Sequence, residues 1–227
     1  MLRTTMPIFL LVISQMEQKR NSFDNPVIVI ANGNFPSHPV PIHYIDNRGT
    51  IICVDGAADK LINYGEIPDV VIGDFDSTEI KNSTKVKKWI EAPNQNQTDL
   101  EKTFEWCVKN NIKDIVLLGA GGKREDHTLG NLFTMAKYHG KLNCEIITNH
   151  SKIICASGKN YISTNINQAV SIIATEPIES ITLEGLQYDM KNEKIFPSAR
   201  AISNKAINNQ FYLESSGKVL VFLNHEK

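Results

Sequence analysis

The chain lacks most of the signatures that would assign it quickly. No Gly-Lys-Ser/Thr follows its one glycine-rich loop, "GAGGKRED", so it carries no Walker A motif. No complete Gly-x-Gly-x-x-Gly fingerprint is present, which disfavours a nicotinamide dehydrogenase, and there is no His-Glu-x-x-His, zinc spacing or Gly-x-Ser-x-Gly elbow. The four cysteines, Cys53, Cys107, Cys144 and Cys155, form no Cys-x-x-Cys pair; three lie inside apolar runs and read as buried free thiols in a reducing compartment. A net charge of −1 gives no electrostatic reason to expect nucleic acid or a membrane surface as partner. Repeats, low-complexity tracts and long linkers are also missing.

The only candidate leader, "MLRTTMPIFLLVIS", has an apolar run too short to span a bilayer and no small-x-small cleavage site after it. Residues 1–25 are therefore expected to be a disordered extension, or the start to be called too early with Met16 as the true one, and the protein is expected to be cytoplasmic.

What is present begins at Pro26. "VIVIA" (27–31), "TIICVD" (50–55), "DVVIG" (69–73), "KDIVLLG" (113–119) and "NCEIITN" (143–149) are continuous apolar runs suited to a parallel sheet covered on both faces, with "KVKKWIEAP" (85–93) a weaker sixth. Helical stretches alternate with them. "AADKLINY" (57–64) is stopped by Gly65, "TDLEKTFEWCVKNN" (98–111) opens with a Thr98/Glu101 capping box, and a third helix spans about 128–138. After residue 149 short β-rich runs are separated by Gly, Asn, Pro and Ser with no convincing helix. The expected architecture is an α/β fold: a doubly wound, mostly parallel, Rossmann-like domain over 26–149, followed by a small antiparallel β-sandwich domain over 150–227.

In open α/β sheets, ligands sit beyond the carboxyl ends of the strands. "ICVDGAADK" places Asp55 and Gly56 there, and "VVIGDFDS" places Asp74 and Asp76. "NQTDLEK" puts Asp99 and Lys102 in a helix's first turns, and "LLGAGGKREDHTLGN" adds Gly121, Gly122, Lys123, Arg124, Asp126 and His127. Each alone is more often a turn or cap residue than a catalyst. Together the carboxylates among them would repel one another, a problem that a divalent cation removes; Mg²⁺ takes hard oxygen ligands and is usually completed by substrate phosphates. Lys102, Lys123 and Arg124 would face the remaining phosphate charge.

The blocks "VDGAADKL", "PDVVIGDFDS", "NQTDLEK" and "LGAGGKREDHTLGNL", in that order, with "GLQYDM" followed by "AISN", resemble the thiamine pyrophosphokinase family over nearly the whole chain from Val27. The resemblance implies transfer of a pyrophosphoryl group from ATP to thiamine, giving thiamine diphosphate and AMP, by a homodimer whose thiamine site lies between the α/β domain of one subunit and the β domain of the other. It implies Asp74 and Asp76 as Mg²⁺ ligands with Asp99, and Asp126 among the catalytic carboxylates; Asp99 or Asp126 could accept the alcohol proton. Asp55, Gly56, Lys102, Gly121, Gly122, Arg124 and His127 would hold ATP, and His127 would orient its neighbours. Ser203 and Asn204 match the family's Ser-Asn pair for thiamine. Tyr188 and Phe222 are candidates for an aromatic wall against this cation, although relatives often carry tryptophan at the position of Tyr188.

Two rival readings remain open at the level of sequence. A haloacid-dehalogenase-like phosphatase would use Asp74 as nucleophile, but its later lysine and aspartate motifs have no clear match here. A non-catalytic nucleotide or vitamin sensor would not require so many metal-competent carboxylates.

Overall fold

The computed structural model of the protein describes residues 23–81 and 83–225. Most of the expected N-terminal extension, residues 1–22, lies outside the described residues.

Strands β1 (Val27–Ile30), β2 (Thr50–Val54) and β3 (Val70–Gly73) are buried at every position. The reason is the period of two along a strand, which sends alternate residues into different cores. Val29, Ile52 and Ile72 join Leu100, Phe104 and Met135 in one core, whereas Ile28, Ile51 and Val71 join Ile45, Ala58 and Leu61 in the other. The weak sixth strand is present as β4 (Lys88–Glu91). With β5 (Asp114–Leu118) and β6 (Asn143–Ile147) the order is β6-β5-β1-β2-β3-β4, all parallel. The chain moves outward from β1 to β4 and then returns to lay β5 against the other side of β1. That reversal sets the loops after β1 and β5 side by side at the carboxyl edge of the sheet, the edge where ligands bind in such folds.

Among the described residues, four helices cover the sheet. α1 (Pro39–Asp46) was not expected from the sequence, because "PVPIHYID" carries two prolines. They fall in the first turn, where backbone N–H groups have no intrahelical partner, and His38 caps the end by accepting from Val40 N. α2 (Ala57–Tyr64) stops at Gly65, whose φ of 108° is left-handed. α3 (Asp99–Lys109) shows both halves of the expected capping box. α4 (Glu125–Tyr138) begins three residues earlier than the sequence suggested.

Thr148 closes the turn out of β6 by accepting, at its hydroxyl, from the amides of His150 and Ser151. The remaining strands are antiparallel: β7 (Ser151–Ser163), β8 (Ala169–Ala174), β9 (Ile178–Glu184), β10 (Met190–Ile195), β11 (Ala201–Lys205) and β12 (Gln210–Asn224). β12 pairs with β7 along one edge. Along the other it pairs with β9 before, and β8 after, a register shift between Ser215 and Val219. The strands thereby wrap a second core containing Val170, Ile181, Phe211, Leu213 and Val221.

β6 pairs with β7 across the expected boundary, so hydrogen bonding runs without a break from β4 to β10. Ile153 of β7 and Leu220 of β12 belong to the core of the α/β half. Among the described residues, no helix is long and apolar enough to cross a membrane.

Candidate functional site

Three carboxylates meet at the carboxyl edge of the sheet. Asp55 follows β2 in a left-handed conformation (φ 44°) and turns the chain into α2. The residue is 4% exposed, and its Oδ1 is buried without a hydrogen-bond partner. Gly73 at the end of β3 leaves room for it: a Cβ there would stand 2.9 Å from that of Asp55. Asp74 comes next, and Asp99 is the first residue of α3. One carboxylate oxygen from each of Asp55, Asp74 and Asp99 lies within 4.8 Å of the others. Lys102, one turn along α3 and with its side chain 5% exposed, donates to Asp99 Oδ1 at 2.8 Å.

The environments of two members diverge. Burial pushes the Asp55 carboxyl above its ordinary value, against hydrogen bonds from the Gly56 amide and Ser77, and the charges of Asp99 and Asp76 add to the rise. Burial acts upward on Asp74 as well, but is overcome by hydrogen bonds from the Asp76 amide and Gln95 and by the Lys102 charge, so its pKa falls below the usual range.

Not every expected residue joins this group. Asp76 is exposed and stands outside the trio; its amide donates to Asp74 Oδ1 at 3.3 Å and its carboxylate accepts from Ser77 Oγ. Asp126 also stands apart. It lies exposed in the first turn of α4, where Arg124 Nε and Nη2 hold its two oxygens at 3.0 and 2.5 Å. That paired charge lowers the Asp126 pKa.

The opposite wall is the glycine loop after β5. Gly33 N donates to Gly119 O and Asn34 N to Gly121 O, stitching the loops after β1 and β5 together. Only glycine fits at 33, since a Cβ would lie 2.3 Å from Gly119 O and 2.4 Å from Gly121 O. Asn131 of α4 supports the loop by donating to Ala120 O at 2.7 Å. Between the walls lies a cleft of about 400 Å³. Asp55, Asp74, Asp99 and Lys102 line one side, and Gly121, Lys123, Arg124 and His127 the other. Gly56 packs beneath, its Cα facing Ser77 O, and Gly122 faces a separate cavity of about 300 Å³.

The expected vitamin-binding residues lie elsewhere, and none of the four lines the cleft. Ser203 is exposed with φ 58°, and its amide donates to Ser171 Oγ. Asn204 is buried, its side chain committed to the backbone: Oδ1 accepts from the amides of Tyr188 and Lys205, and Nδ2 donates to Tyr188 O at 2.7 Å. Tyr188 is 65% exposed, while Phe222 packs half-buried against the α/β core.

Sequence reasoning missed Asn32, Gly33, Lys60, Gln95 and Asn131. The signals were there in "ANGN" directly after the first strand, at the topological reversal, and in the polar run "NQNQ" before α3.

Two family descriptions match the chain: "Thiamin pyrophosphokinase, catalytic domain" over residues 42–148 and "Thiamin pyrophosphokinase, vitamin B1 binding domain" over residues 159–220. The chain is 27% identical to Thiamin pyrophosphokinase 1 of Caenorhabditis elegans over 185 residues, covering 74% of this chain and 76% of that one. It is 27% identical to the thiamine pyrophosphokinase of Bacillus subtilis over 207 residues, covering 86% and 96%. The crystal structure of a Bacillus subtilis thiamine pyrophosphokinase superposes with a TM-score of 0.75 over 88% of this chain and 100% of that chain. The fold is shared with the Candida albicans thiamin pyrophosphokinase, at 21% identity and a TM-score of 0.78 over 88% of each chain.

Proposed function

Because the chain belongs to the thiamin pyrophosphokinase family, an enzyme family that forms thiamine diphosphate from thiamine, we propose that its cleft passes a pyrophosphoryl group from ATP to the hydroxyethyl oxygen of thiamine, leaving AMP. The observation that carries this reading is the convergence of Asp55, Asp74 and Asp99 within 4.8 Å, facing a glycine loop flanked by Lys123 and Arg124.

Mg²⁺ fits this donor set. The three oxygens are hard ligands, and Asp55 Oδ1 is buried without a partner, an arrangement costly unless a cation shares it. Asp55, Asp74 and Asp99 would hold the ion, which when bound would neutralise phosphate charge and orient the polyphosphate. Asp76, which the family resemblance paired with Asp74 as a ligand, supports the site instead through its amide, which donates to Asp74 Oδ1.

The transfer forms a bond from the alcohol oxygen to the β-phosphorus and breaks the bridge to the α-phosphate, whose oxygen leaves with AMP. No covalent enzyme intermediate is required, so the chain's work is positioning and charge compensation. Lys102, Lys123, Arg124 and the Gly121 amide face the polyphosphate, with His127 beside Arg124. Of the two carboxylates considered for the alcohol proton, Asp99 lies at the cleft wall, whereas both oxygens of Asp126 are engaged by Arg124. Asp126 is better placed to fix that guanidinium.

Ser203, Tyr188 and Phe222 lie outside the cleft of their own chain. This favours a homodimer in which the thiamine site combines the cleft of one copy with the β strands of the other. Incubation with ATP, Mg²⁺ and thiamine tests the whole reading. AMP and thiamine diphosphate are the expected products; ADP with thiamine monophosphate, or inorganic phosphate alone, overturns it.

A further inference from the structure

Lys60 takes no part in the reaction described above and does not line the cleft, yet it sits directly behind the cleft wall. From α2 its ammonium donates to Asn32 O at 3.0 Å and Gly33 O at 2.5 Å. On the other side of the same residue, Lys123 Nζ donates to Asn32 Oδ1 at 3.2 Å. Two cations thus converge on one asparagine, and among the described residues neither is ion-paired with a carboxylate. The turn they grip is the one whose Gly33 and Asn34 amides hold Gly119 O and Gly121 O. A continuous set of contacts therefore runs from Lys60 through Asn32 and Gly33 to the glycine loop and Lys123.

We infer that Lys60 is a positioning residue for the nucleotide: it fixes the Asn32–Gly33 turn so that Lys123 and the Gly121 loop meet the polyphosphate, and it supplies a second positive charge behind them. This rests on the ATP reading of the cleft. Without an anion the arrangement is strained electrostatically, since burial first, and Lys123 second, bring the Lys60 pKa down to about 8. A polyphosphate in the cleft relieves both effects, just as a divalent cation relieves the carboxylates opposite.

Lys60→Gln keeps a donor for the carbonyls and removes the charge, while Lys60→Arg keeps both. Titration calorimetry with Mg²⁺ and a non-hydrolysable ATP analogue is expected to show about tenfold weaker binding for Lys60→Gln and near-parental binding for Lys60→Arg. In steady-state assays the KM for ATP should rise by a similar factor, with kcat and the KM for thiamine changing by much less. Analogue affinity within twofold of the parent in Lys60→Gln, equal losses in both variants, or parallel rises in both KM values would each overturn the inference. A parent that binds the analogue but does not pyrophosphorylate thiamine would overturn the reaction and leave Lys60 to be decided by the binding data. A parent that binds no nucleotide would overturn both.

Discussion

Lys102 Nζ lies 2.8 Å from Asp99 Oδ1, and the lysine side chain is almost completely buried whereas that of its partner is partly open to solvent. This ammonium is the one cation in direct contact with the carboxylate trio among the described residues, so the cleft is under-compensated. Lys102→Met should therefore destabilise the metal-free protein, lowering the thermal midpoint in EDTA by about 5 °C. Mg²⁺ should recover part of that loss, and turnover should fall about 100-fold. Scanning calorimetry with and without Mg²⁺ checks the first two expectations; an unchanged midpoint in EDTA would contradict the electrostatic account.

Asp55→Asn should move stability the other way. Asparagine tolerates the left-handed backbone at this position, and the change removes a buried charge whose Oδ1 has no partner. In EDTA the variant should melt at or above the parental midpoint, by up to about 3 °C. It should also lose the Mg²⁺-dependent stabilisation and reduce turnover about 100-fold. Asp74→Asn should lose turnover similarly while keeping the fold. A variant at position 55 that is both less stable and still responsive to Mg²⁺ would refute the assignment.

The convergence of carboxylates at the candidate cleft was legible because strand ends can be read from apolar runs, and Asp55, Asp74 and Asp99 each directly follow a buried strand or open a capped helix. The membership of the trio was less so. The family resemblance paired Asp76 with Asp74 as a ligand. Phe75 instead adopts φ 64°, and the turn it makes uses Asp76 as an amide donor and leaves its carboxylate outside. Asp126 was grouped with the carboxylates by motif, but α4 starts early enough to place it beside Arg124 in the helix's first turn. The strand and helix order followed from periodicity and capping. α1 did not, because prolines argue against a helix unless their position within it is known. Continuous pairing between β6 and β7 depends on a turn whose geometry composition does not encode.

Asn204 and Ser203 should separate stability from recognition. Asn204→Ala would strip partners from the amides of Tyr188 and Lys205 and from the Tyr188 carbonyl, at a cost of about 1–3 kcal/mol. Ser203→Ala removes only a hydroxyl at an exposed position and should leave the midpoint within about 1 °C. If the β strands present thiamine, both changes should raise the KM for thiamine and spare that for ATP. Denaturant titration alongside kinetics tests the separation.

The capping box on α3 carries a pH signature. Hydrogen bonding from Lys137 above all, and from the Thr98 amide, holds the Glu101 carboxyl below its ordinary value of 4.5 despite partial burial. A depressed carboxylate contributes stability above that ordinary value and loses it as pH falls through the folded-state value. Glu101→Gln keeps an acceptor for the cap but not the charge. Its midpoint should lie about 2 °C below the parental one at pH 7, with the gap closing as the pH falls below the ordinary value of 4.5. A gap that persists in acid would assign the effect to packing.

The unbroken pairing from β4 to β10 has a mechanical corollary. A body threaded by thirteen- and fifteen-residue strands that anchor in both cores has no soft joint at residue 150 about which to clap shut. Enclosure of the reacting atoms must then come from rim loops or from an outside surface laid over the opening. Severing the chain at that turn would split one cooperative unit, leaving each fragment with an exposed apolar edge, and the intact chain should melt in a single transition.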